Sequence, residues 1–244
     1  MKDIAASGGR WLDVSPGRFP GWIASFAERH GAAASGAPLT AAPRDESVTF
    51  AAPDGAVAEC HPPFPAGRPP AGLTPAEYAD AIAAHALAPR TVGVLLVRLG
   101  GYAAGVFTGS PPVLTASKTG SRLVHGRSAA GGWSQHRFAR RREKQAAEAL
   151  QAAASAAAEV FGRWGAGPRR SGGKEEKAAA GLDAVVLGGD KRAVAGLRDD
   201  PRLVPYLDLA VERFLTVPDP RLAVLKDTPR LFLAVRIRLM EPAS

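Results

Sequence analysis

A mixed α/β architecture is predicted for this chain: a mixed β-sheet covered by helices, with a small N-terminal extension ahead of it. Three observations carry that prediction. The stretch Thr91 to Leu99 (TVGVLLVRL) is almost continuously apolar and β-branched, as a strand buried on both faces is. Gly100-Gly101 then signals a hairpin turn, so the chain returns as an antiparallel neighbour. From there to the end, strand and helix patterns alternate, which places helices over a sheet.

The length of 244 residues suits one domain with an appendage, and 46% apolar residues are enough to fill a core. A soft boundary is expected near Pro89, separating an extension over residues 1–89 from the main domain over 90–244. Within the extension, Gly21 to Arg29 reads as a short helix with Trp22, Ile23, Phe26 and Ala27 on one face. Residues 31–45 read as a flexible connection. Ser47 to Phe50 and Ala56 to Cys60 flank the turn signal Pro53-Asp54-Gly55, and a small hairpin is expected. Five prolines in residues 61–72 imply an irregular linker, and Thr74-Pro75 with Glu77 close behind starts a helix.

Beyond Pro89, Tyr102 to Thr108 is expected as the second strand and Leu114 to Val124 as a third. A polar, glycine-rich loop follows over Gly126 to Ser134. A long helix is predicted over Gln135 to Trp164, whose stripe of Ala146, Ala149, Leu150, Ala153, Ala157, Val160, Phe161 and Trp164 keeps helical spacing. Leu182 to Leu187 is another buried strand, leading through Gly188-Gly189-Asp190 to a helix ending near Leu197. Val211 to Val217 and Leu231 to Met240 complete the strands, with a helical turn around Pro220 to Lys226 between them.

The formal net charge of +8 is local rather than general. Between Lys118 and Lys144 stand eight cations (Lys118, Arg122, Arg127, Arg137, Arg140, Arg141, Arg142 and Lys144) against a single acid, Glu143. Helix amino termini favour acids, because free N–H groups and the macrodipole place partial positive charge there. This helix instead opens on Arg137, Arg140, Arg141 and Arg142. A bound polyanion explains that choice where local stability does not. Trp133 and Phe138 lie within the patch, and aromatic rings beside arginines suit stacking on unpaired bases. The plain alternative is an ordinary solvated basic face.

Ahead of the helix, Gly131-Gly132 lets the backbone approach a ligand closely, and Gln135 stands three residues on. A glutamine is no general base, but its amide accepts from and donates to a water at once. Glycine-rich backbone beside it supplies N–H groups for an oxyanion. On composition alone, a turn and a surface glutamine explain the same residues. Several chemistries are excluded or disfavoured. A single cysteine, Cys60, allows no internal disulfide framework and no Cys-rich zinc site. His30, His61, His85, His125 and His136 show no ligand spacing, so no metal is expected. Ser134 lacks recognisable His–Asp partners for a nucleophilic triad. Gly188-Gly189-Asp190-Lys191 is better read as a strand-to-helix turn than as a phosphate loop. No apolar run is long enough to cross a membrane, and MKDIAASGGRWLDV has no secretory h-region, so the cytoplasm is the expected compartment.

The segments Ser117 to Arg122, Gly126-Arg127 and Gly131-Gly132-Trp133-Ser134-Gln135-His136-Arg137-Phe138-Ala139-Arg140-Arg141-Arg142 together resemble the catalytic region of a release-factor family. That family is the actinobacterial peptidyl-tRNA hydrolase branch of the Vms-one-like release factors, relatives of the archaeo-eukaryotic class-one release factor. The resemblance continues through Leu187 to Asp190 and Val217 to Arg221, and reaches back to Trp22, Phe26, His30-Gly31 and Pro62 to Pro65.

The resemblance implies a release-factor middle domain, RNase H-like, with a mixed sheet and covering helices. It implies hydrolysis of the ester between nascent chain and tRNA on stalled large ribosomal subunits; no cofactor is expected. By the same match Gln135 is the catalytic glutamine, Gly131 and Gly132 shape its loop, and Ser134 stands beside it in the site. Lys118, Arg122, Arg127, Arg137, Arg140, Arg141, Arg142 and Lys144 are then expected to hold rRNA or the tRNA acceptor end. Release factors carry contiguous Gly-Gly-Gln, whereas here Trp133 and Ser134 intervene, which leaves open which loop residue faces the ester. Two rivals stand beside this reading: a nuclease that shortens the tRNA 3′ end, and a non-catalytic RNA-binding factor. No dimer-forming stripe stands out, and a monomer is expected.

Overall fold

The computed structural model describes residues 9–98, 101–121, 134–166 and 181–242, with the backbone alone at 33, 34 and 134–146. Among these residues the strands are β1 (Arg10–Val14), β2 (Thr40–Pro43), β3 (Val48–Ala51), β4 (Val57–His61), β5 (Arg90–Arg98), β6 (Gly101–Gly109), β7 (Val113–Ser121), β8 (Ala184–Gly189), β9 (Ala210–Leu215) and β10 (Val235–Met240). The α-helices are α1 (Phe19–Arg29), α2 (Ala32–Ser35), α3 (Pro75–Leu87), α4 (Ser134–Gly162), α5 (Lys191–Ala195), α6 (Val204–Leu207), α7 (Leu222–Lys226) and α8 (Pro229–Phe232). They form two compact units, Met1–Ala88 with Arg230–Ser244, and Pro89–Pro229.

The first unit is built on an antiparallel sheet in the order β1-β10-β4-β3-β2. Alternate residues turn one face inward: Val48, Phe50, Ala58, Cys60, Val235, Ile237 and Leu239 bury against Phe19, Ile23 and Phe26 of α1 and Tyr78, Ala79 and Ile82 of α3. Helix α3 starts where the sequence marks it. The Thr74 hydroxyl accepts from the Glu77 amide at 3.3 Å, and the Glu77 carboxylate accepts from the Thr74 amide at 2.7 Å, a reciprocal capping box. The helix ends because Pro89 disfavours helical backbone at the preceding residue, and Ala88 is extended, with ψ 136°.

The second unit carries a sheet in the order β7-β6-β5-β8-β9. β5 is antiparallel to β6 and parallel to β8, and β8 is parallel to β9, so the sheet is mixed as expected. Leu95, Val97, Ala104, Val106, Val185 and Leu187 share a core with Ala153, Ala157, Val160 and Phe161 of α4. Val92, Val94 and Leu96 are buried as well, which is why β5 reads as a continuous apolar run.

The structure revises three local readings. Residues 31–45 hold α2 and β2 and are not a bare connection, and β1 has no counterpart among the expected strands. The last strand begins at Val235, because Leu231 and Phe232 belong to the short helix α8. The helices also cover two sheets, since β10 pairs with β1 on one side and β4 on the other. The span 90–244 expected as one domain is therefore shared between the two units, and residues 1–89 contribute four strands of a sheet with its own core. The cause is non-locality. Arg10 pairs with Leu239, and nothing in either segment announces a partner so far along the chain.

Candidate functional site

The glycine-rich segment and the arginine helix are joined to the second unit at one end of its sheet. β7 ends at Ser121 and α4 begins at Ser134. Arg122, Arg127, Gly131 and Gly132 lie between them, outside the described residues. Gln135 lies in the first turn of α4, and Arg137, Arg140, Arg141, Arg142 and Lys144 follow within that helix, where the backbone alone is described. Positions 137, 140, 141 and 144 recur at the spacing of a single helical face.

The described residues show how the base of this segment is constructed. At the end of β7, a Cβ added to Gly120 would stand 2.5 Å from the Tyr102 ring, so Tyr102 lies directly on glycine backbone. Across the sheet, a Cβ at Gly101 would meet the Gly120 carbonyl at 2.9 Å and the Pro220 carbonyl at 3.5 Å. The chain around Pro220 thus passes close to the ends of β6 and β7. It is held by Arg98 at the end of β5, whose guanidinium donates to the Val217 carbonyl at 2.9 Å and lies 3.8 Å from the Asp219 carboxylate. Arg98, Tyr102 and Gly101 were not among the expected site residues. Their roles depend on cross-strand register, which leaves no mark within any local stretch.

Lys118 is the one expected RNA-binding residue with a described side chain, and it already has a partner. Its ammonium donates to the Glu159 carboxylate on α4, with Arg163 3.8 Å from the same carboxylate. The hydrogen bond to Glu159 raises the Lys118 pKa, and the same bond holds Glu159 below the usual carboxylate range. Much of the Lys118 charge is therefore compensated within the fold.

The turn Gly188-Gly189-Asp190 behaves as a strand-to-helix connection. Gly189 has φ +102°, and a Cβ there would meet the Val97 carbonyl at 2.2 Å. Asp190 caps α5, its Oδ1 accepting from the amides of Arg192 at 2.8 Å and Ala193 at 3.1 Å. The N–H groups a phosphate would need are taken by the chain's own carboxylate. Cys60 is completely buried, and burial pushes its thiol pKa well up, so it is a core side chain rather than a nucleophile. Among the described residues, His30 meets Asp54 at 2.8 Å and His85 meets the Phe64 carbonyl at 3.3 Å, and no three potential metal ligands gather. None of the described helices is long and apolar enough to cross a membrane.

The family model of the Actinobacteria/chloroflexi VLRF1 release factor matches residues 90–238, more than half of the chain. The chain belongs to that family. The VLRF1 release factor match takes in all of β5 to β9, the glycine-rich segment and α4, and it runs into β10. No curated protein sequence matches the chain. Among solved structures, an archaeal translation termination factor, aRF1, is similar at TM-score 0.39 and 12% identity, covering 91% of this chain and 66% of its own. Another archaeal protein is similar at TM-score 0.28 and 12% identity, over 89% of this chain and 62% of that one. The chain thus spans just under two thirds of the length of either structure.

Proposed function

We propose that this VLRF1 release factor is a cytoplasmic peptidyl-tRNA hydrolase that frees nascent chains on stalled large ribosomal subunits. Membership of a release-factor family carries the reading, since the matched span contains Gly131-Gly132-Trp133-Ser134-Gln135. In the reaction a water oxygen attacks the ester carbonyl, the bond from that carbon to the ribose oxygen breaks, and the tRNA leaves with its terminal hydroxyl restored. Gln135 holds the water through both halves of its amide. Backbone N–H groups around Gly131 and Gly132 stabilise the oxyanion, and Ser134 borders the same space. Arg122, Arg127, Arg137, Arg140, Arg141, Arg142 and Lys144 bind RNA phosphates and bring the ester to the loop, so positioning supplies most of the rate. Lys118 plays a lesser part because Glu159 shares its charge.

The decisive experiment follows release of a labelled nascent peptide from purified large subunits carrying peptidyl-tRNA. Wild-type protein is expected to release peptide and leave the tRNA with an intact CCA end. Gln135→Ala is expected to co-sediment with the subunits normally and to release peptide at least about 100-fold more slowly. A shortened tRNA would replace hydrolysis with nuclease action. Equal release by both proteins would remove Gln135 from the chemistry, and no release by either would leave a binding factor.

A further inference from the structure

Sheet order and side-chain chemistry single out a second place in the same unit. Among β5 to β9, the chain leaves β5 towards β6 on one side and leaves β8 towards β9 on the other. β5 and β8 are parallel neighbours, and ligands of α/β proteins favour the crevice outside the carboxyl ends of parallel strands. Here it has a volume of about 430 Å³, within the range of small-ligand sites. Val97, Ala149, Leu150 and Ala193 give it apolar walls. Arg98 and Arg192 also line it, and both are exposed. Asp190 is the acid among the described lining residues, and its Oδ1 is engaged by the amides of α5.

We infer that this crevice seats one unpaired nucleotide of the bound RNA, with the base against Ala149, Leu150 and Ala193 and the phosphate on Arg98 and Arg192. The argument is complementarity. A nucleotide within RNA joins the flat face of a base to a monoanionic phosphodiester, and the crevice joins a small-residue apolar wall to two guanidinium groups. Alanine walls leave a slot open where larger side chains would close it. Arginine forks suit phosphate oxygens better than an ammonium does. Arg98 gives one donor to the Val217 carbonyl and has the exposed Asp219 carboxylate 3.8 Å from its Nε, which leaves donors of its outer fork for a phosphate. The inference rests on the reading that RNA is the partner, and it adds a subsite built from the ends of β5 and β8, the start of α5 and the middle of α4 rather than from the arginines that open that helix.

Fluorescence anisotropy with a fluorescein-labelled single-stranded RNA of about 12 nucleotides tests it, at one fixed salt concentration. Ala149→Phe fills the slot without altering charge, and Arg192→Glu removes the exposed phosphate contact. Arg163→Glu, at the far end of α4, makes the same charge change as Arg192→Glu outside the crevice. Both crevice variants are expected to weaken binding about tenfold or more while melting like wild type, and Arg163→Glu is expected to change it less than about threefold. If Ala149→Phe and Arg192→Glu match Arg163→Glu, the crevice holds no nucleotide. Mononucleotide that binds as tightly as the oligomer would make this a free-nucleotide site and overturn the proposal. No binding by wild type would do the same. Peptide release, measured separately, keeps the two readings apart. Release by wild type with no loss of RNA affinity in the crevice variants defeats the crevice alone. Loss of affinity without any release defeats the hydrolase alone.

Discussion

The two sheets are specified by opposite means. In the first unit, large side chains decide the packing: Phe19, Phe26, Phe50 and Tyr78 are fully or almost fully buried between a sheet face and two helices. In the second, the sheet ends are decided by missing side chains. Gly188 would place a Cβ 2.7 Å from the Leu215 carbonyl, Gly189 one 2.2 Å from the Val97 carbonyl, and Gly120 one 2.5 Å from the Tyr102 ring. The first sheet is packed mainly by large side chains, whereas the ends of the second bring backbones close together at Gly120, Gly188 and Gly189. At these positions the first arrangement is sensitive to atoms removed and the second to atoms added.

That contrast is breakable by mutation. Phe50→Ala empties a fully buried position in the first unit and is expected to cost about 3–5 kcal/mol in a urea titration, the largest effect here. Gly189→Ala adds one methyl group at a left-handed position against a carbonyl, and about 2–3 kcal/mol is expected from strain and contact. If Gly189→Ala proved neutral, the second half of the comparison would collapse, because its backbone approach would not be needed.

Acid should act on both units more gently. Asp54 is held below the usual range by the Ala56 amide and then by His30, and Glu77 by Thr74. Glu159 is lowered by Lys118, and Asp200 by Arg202. Each carboxyl has a lower pKa folded than unfolded, so the unfolded chain takes up more protons as pH falls. Their contribution is complete above about pH 4.5 and is lost as pH drops through the lowered values. Denaturation midpoints measured from about pH 7 down to 3.5 should be flat and then decline. A steady decline beginning near pH 6 would instead implicate the histidines.

The smallest effect is expected at Lys118. Lys118→Ala should shift RNA affinity less than about twofold, whereas replacing Arg140 and Arg141 together should weaken binding far more and flatten its salt dependence. Equal losses would mean that Lys118 exchanges Glu159 for phosphate when RNA arrives.

Features set by neighbours in the chain were readable, and those set by distant partners were not. The Thr74-Pro75-Glu77 cap, the β3–β4 hairpin and the buried run of β5 announce themselves within a few residues. β1 and β2 are short strands of ordinary composition whose existence depends on where β10 and β3 lie, and no local pattern marks them. The site divides in the same way. The glycine pair, Gln135 and the arginine cluster are conspicuous as residue types, and the family match contains them. Arg98 looked like the tail of a strand, and Tyr102 like an ordinary strand aromatic. Only the pairing of Tyr102 with Gly120 and the path of the chain past Val217 show that Tyr102 lies against the end of β7 and that Arg98 holds the chain beyond β9.

The position of β10 bears on how the protein is made. It lies between β1 and β4, yet the ribosome adds it only after every residue of the second unit. As the chain emerges, β5 to β9 have all their partners and can assemble before β10 appears, while β1 and β4 wait with open edges. Synthesis interrupted near Pro229 would therefore yield a second unit whose strands are complete and an amino-terminal sheet split between β1 and β4, where β10 belongs.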